Sequence, residues 1–142
     1  MNYEEKTSKY SGWWRWLLLP FAAIIGGSIG AIIITRSYWL ALEIQGFSAD
    51  SWILLYMPPV FSSAVFGWLY VLITLNVVPK WRVIAAIVMT TILGVVLLTG
   101  SVLVWLNPNE ALGATIQVIV SSIVTMVSAI ASIENYKDEY KD

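Results

Sequence analysis

The chain has 142 residues, of which 58% are hydrophobic and 12% charged, and a formal net charge of −1. A soluble domain carries roughly a quarter charged residues, so this composition leaves too little polar surface to coat a water-soluble globule and predicts an integral membrane protein. The near-zero charge offers no basic face to nucleic acid. Cysteine and histidine are both absent, which excludes disulfides, thiolate catalysis, histidine-ligated haem and nearly all zinc chemistry. No cofactor and no metal site is expected.

Four segments are long and apolar enough to cross. The first spans about 16–35, bracketed by Arg15 and Arg36; twenty residues at ~1.5 Å each match the ~30 Å hydrocarbon core. Its apolar run is too long for a signal peptide and no Ala-x-Ala pattern follows, so it reads as a retained helix. The others fall at about 52–78, 83–105 and 111–133, with tails at 1–15 and 134–142. The expected fold is all-α: a single transmembrane domain of four helices in an up-down antiparallel bundle, because the short connections "NVVPKWR" and "NPNEALG" force neighbours to turn back.

Orientation follows from lysine and arginine. Lys6, Lys9 and Arg15 precede the first span, Lys80 and Arg82 join the second to the third, and Lys137 and Lys141 follow the fourth. Four crossings put those seven on one side and leave Arg36 on the other. Both termini are therefore expected in the cytoplasm, with the protein in a plasma or inner membrane. Trp13, Trp14, Trp16 and Trp81 would mark the inner interface and Trp39, Trp52 and Trp105 the outer one, where an indole satisfies both its apolar body and its N–H. Trp68 falls deeper.

The first span carries a ladder of small residues: Ala22, Gly26 and Gly30, with Ala23, Gly27 and Ala31 beside them. Such ladders let a second helix approach closely. Ser63 and Gly67 on the second span are the natural partner surface, although a seam between chains would use the same ladder. The "GGSIGA" run followed by Arg36 also resembles the opening of the small four-helix fluoride channels, which implies passive conduction. The sequence departs from that pattern in the second span, which has no asparagine-centred match, and in the third, where "MTTILGVVLLTGS" stands in place of the expected phenylalanine- and hydroxyl-rich break.

Arg36 has two readings. A helix ending near Thr35 makes it an anchor among headgroups, assisted by Tyr38 and Trp39. If the apolar "YWLALEI" continues the helix, the arginine enters the outer leaflet and needs an acid. Glu43, Asp50 and Glu110 are the candidates there, and the favoured reading is the anchor. Asp50 or Ser51 is positioned to cap the second helix. Pro58 and Pro59 predict a kink or a late start for it.

The fourth span bears Gln117, Ser121, Thr125, Ser128 and Ser132, which at ~100° per residue fall within an arc of about 80°. One reading is a helix–helix seam; the other is the lining of a pore made by several chains. The spans hold no nucleophile with a base and no paired acids, so an enzyme is the least favoured class and no catalytic residue is assigned. Two functions remain. The first is a non-enzymatic assembling or accessory subunit that binds itself or another membrane protein, with the tail "ENYKDEYKD" as a handle for a cytoplasmic partner. The second is an oligomeric passive channel lined by the fourth helix.

Overall fold

The structure is a computed structural model that describes residues 13–46, 48, 51–78, 81–107 and 111–139, with the backbone alone at 13–16 and 139. Among the described residues it is all-helical: α1 Trp13–Ile44, α2 Trp52–Val77, α3 Arg82–Trp105 and α4 Leu112–Glu139. Each of the four is long and apolar enough to cross a membrane. Large apolar side chains such as Leu17, Ile25, Ile92 and Ile123 stand exposed around the outside. In water this would be untenable; against lipid tails it costs nothing, because the tails are as apolar as leucine.

The first helix does not stop at Thr35. It continues for nine more residues to Ile44, because a charged side chain ends an apolar run without ending the backbone hydrogen-bond ladder. "YWLALEI" contains no residue that breaks a helix. Gly46, at φ +85, turns the chain after it. The fourth helix likewise runs on to Glu139, so the polar residues from Glu134 onward extend the same rod.

Pro58 and Pro59 neither delay nor end α2, which begins at Trp52 and passes through both. Ser51 precedes it without a side-chain cap bond, and Asp50 lies outside the described residues. The two rings leave the Leu54 and Leu55 carbonyls without their helix donors, and Ser63 Oγ makes an ordinary back-bond to the Pro59 carbonyl at 2.7 Å one turn further on.

Packing is uneven. The second helix is central: it lies against α1 and α4 most extensively and against α3 at one end, while α1 rests chiefly on α2. Gly26 faces Ile73, Gly30 faces Leu69, and Tyr38 stacks on Phe61 at 5.1 Å. Those pairs descend α2 as they ascend α1, so the two helices run in opposite senses. Tyr70 Oη donates to the Met89 carbonyl at 3.3 Å, joining α2 to α3. The core sits in the half of the molecule where α2 meets α3, built from Tyr70, Val71, Leu75, Ala85, Ala86, Met89 and Ala129, with Leu19 and Ala23 supplied by α1.

Candidate functional site

The small-residue ladder of α1 turns towards α2. Leu19, Ala23, Gly27 and Ala31 are buried, while Ala22, Gly26 and Gly30 line the edge of the same seam. What fills the glycine gaps is side chain: a Cβ on Gly26 would meet Ile73 Cδ1 at 2.5 Å, one on Gly27 would meet the Phe66 ring at 3.1 Å, and one on Gly30 would meet Leu69 Cδ1. Knobs of α2 occupy the holes.

Gly67 belongs to a different seam. A Cβ there would strike the Thr125 carbonyl oxygen of α4, so backbone meets backbone between α2 and α4. The expectation that Gly67 pairs with the α1 ladder is corrected: spacing reveals a groove on a helix but not which neighbour enters it. Ser63, half-buried between the two seams, borders hollows on either side.

The α4 stripe lies along this second seam. Ser128 Oγ donates across it to the Ala64 carbonyl at 2.6 Å, and Thr125 Oγ1 donates back to the Ser121 carbonyl at 2.8 Å. Thr125 and Ser132 are buried, and the Ser132 hydroxyl has no partner. Gln117 and Ser121, half-buried, are left at the far end. They line a groove of about 430 Å³ with Pro59, Ser63 and Thr125. The stripe is thus divided: its lower three members lie between helices, and its upper two border an open, partly polar hollow.

Arg36 and Glu43 point away from α2, both exposed, on the same face as Ile25, Ile29 and Ile32. Along α1 the arginine falls between the contacts of Gly30 with Leu69 and of Tyr38 with Phe61. Among the described residues no acid pairs with it. Asp50 and Glu110 lie outside them, as do Lys80, Lys141 and the whole of 1–12. Trp39, Trp52, Trp81 and Trp105 are exposed, and so is Trp68 on the outer side of α2.

Three polar contacts escaped the sequence reading. Ser122, off the stripe, meets Ser101 of α3 at 3.2 Å. Arg82 Nη1 donates to Tyr136 Oη at 3.4 Å, tying the start of α3 to the end of α4 and engaging the first tyrosine of the tail. The bond from Tyr70 to Met89 is the third. Each joins residues on different helices, for which a single sequence gives no pairing signal. No group of three metal-ligating side chains occurs among the described residues.

Among the described residues the chain is thus all-helical, with four candidate spans of the length and apolarity of an integral membrane protein. No family model, no curated protein and no solved structure matches it.

Proposed function

We propose that this chain is a small non-enzymatic polytopic protein that acts as an assembling or accessory subunit of a membrane complex, with itself or with another membrane protein. It stands in the plasma or inner membrane as an up-down antiparallel bundle with both termini cytoplasmic. The observation that carries this reading is the outward face of α1. That helix is held from one side, and its other side presents Arg36 in line with Ile25, Ile29 and Ile32, with no acid of the described chain to meet it. A guanidinium on an apolar membrane face is costly unless it reaches headgroups or a partner's polar group. Glu43, two turns on, gives the same face both signs of charge.

The decisive measurement is the mass of the complex extracted gently from native membranes, with each protein in it identified. An assembly larger than one chain is expected, and Arg36→Leu should shift it towards the single chain. A wild-type protein that runs as a monomer at native abundance would sink the proposal.

The groove beside Gln117 and Ser121 supports a second reading, an oligomeric passive channel in which these two residues line the path. Gln117→Leu or Ser121→Leu should then abolish ion flux in liposomes with assembly intact. If the stripe is only a seam, wild-type liposomes show no flux to lose.

A further inference from the structure

The α3–α4 seam is open on its outer side. A hollow of about 410 Å³ runs along it, walled almost wholly by apolar atoms of Gly94, Leu97, Leu98, Ile119, Ile123 and Met126. Gly94 is what opens it, since a Cβ there would already sit 3.0 Å from Met126 Cε. Met126 and Ile130 are shared with a second hollow of about 270 Å³, so the two adjoin along the seam. This second hollow changes character. Thr90, buried and with an unpartnered hydroxyl, lines it together with Glu134 and Lys137, both exposed at its mouth. The two charges stand three residues apart, yet no ion pair joins them.

The geometry points to a binding site for one phospholipid whose headgroup carries a primary ammonium, as in phosphatidylethanolamine. From Ile130 to Ile119 the apolar part is ~16 Å long at 1.5 Å per residue, an acyl chain's worth of trough. Thr90, buried and with its hydroxyl unpartnered, walls the passage between this apolar trough and the charged mouth. Beyond it, Lys137 donates to the phosphate and Glu134 accepts from the ammonium. Opposite charges left unpaired at one mouth match a zwitterion better than an anion. Glu134 repels an anionic headgroup, and a quaternary ammonium has no N–H to give it.

The test uses the full chain, stripped of lipid and returned to nanodiscs of phosphatidylethanolamine, phosphatidylcholine or phosphatidylglycerol. Native mass spectrometry then counts the lipid that survives release. One phosphatidylethanolamine per chain is expected to remain, held about tenfold more strongly than the other two, the worth of one charge-assisted hydrogen bond. Glu134→Gln should erase that preference, and Ile123→Trp, which fills the trough, should remove the bound lipid altogether. Both changes are on exposed side chains, so an unchanged melting temperature serves as the folding control. Equal retention of the three headgroups, or full retention in Ile123→Trp, overturns the assignment.

Discussion

A methyl group at position 67 has nowhere to go. The Thr125 carbonyl it would strike is helix backbone and cannot rotate aside, so Gly67→Ala must part α2 from α4. Overpacking of this kind costs ~1–3 kcal/mol, offset only in part by the ~1 kcal/mol that alanine gains over glycine inside a helix. At Gly30 the obstacle is the tip of Leu69, which can swing away, and at Gly100 nothing lies within 4 Å. Thermal midpoints in detergent should therefore fall in the order Gly100→Ala, Gly30→Ala, Gly67→Ala, with the first at or above the wild type. A Gly67→Ala midpoint at the top of that series would refute the α2–α4 seam. The serines separate in the same way. Ser128→Ala removes a bond across the seam and should cost ~0.6 kcal/mol, whereas Ser132→Ala removes a buried hydroxyl without a partner and should gain ~1 kcal/mol. The sequence displayed the small residues and the stripe, since both are periodic within one helix. It could not display that Gly67 serves α4 rather than α1, because that choice is made between helices.

At the scale of elements, four long apolar helices were legible because apolar length is a property of the chain alone. The ends of α1 and α4 were not legible, and for one reason. Hydropathy reports where lipid ends, whereas a helix ends where its hydrogen bonds do, and neither Arg36 nor Glu134 interrupts those. The extension of α1 is held near its start by the stack of Tyr38 on Phe61, worth ~0.5–1.5 kcal/mol. Tyr38→Ala should therefore speed amide hydrogen exchange from residue 38 to Ile44 and leave Leu19 to Ala31 protected. Uniform loosening of the whole helix would mean that the stack is not what holds the extension. The prolines misled for a related reason: a ring removes a donor, but it breaks a helix only where nothing else supports the turn. Pro58 is buried, so packing holds the turn in place of the bonds that the Leu54 and Leu55 carbonyls lose. Pro59→Ala returns an N–H to the Leu55 carbonyl, and slower exchange over the first turns of α2 is the expected result.

The whole molecule has a polarity that its charges impose and its contacts respect. The bond between Arg82 and Tyr136 puts the start of α3 beside the end of α4, so two of the regions richest in lysine and arginine share one end, while Arg36 lies far along α1. Basic side chains resist transfer across a membrane that is negative inside and are attracted by anionic cytoplasmic lipids. That end, with both termini, should face the cytoplasm. The chain offers a clean way to ask, because it contains no cysteine and any cysteine introduced is the sole target for a thiol reagent. Ala111→Cys, at the opposite end in the turn before α4, should react with an impermeant maleimide in intact cells. Ser8→Cys and Asp142→Cys should react only after permeabilisation. The reverse pattern would turn the molecule over and place Arg36 on the cytoplasmic side, where anionic lipid would satisfy it. The outward face of α1 would then need no protein partner, and the case for an assembling subunit would lose the observation that carries it.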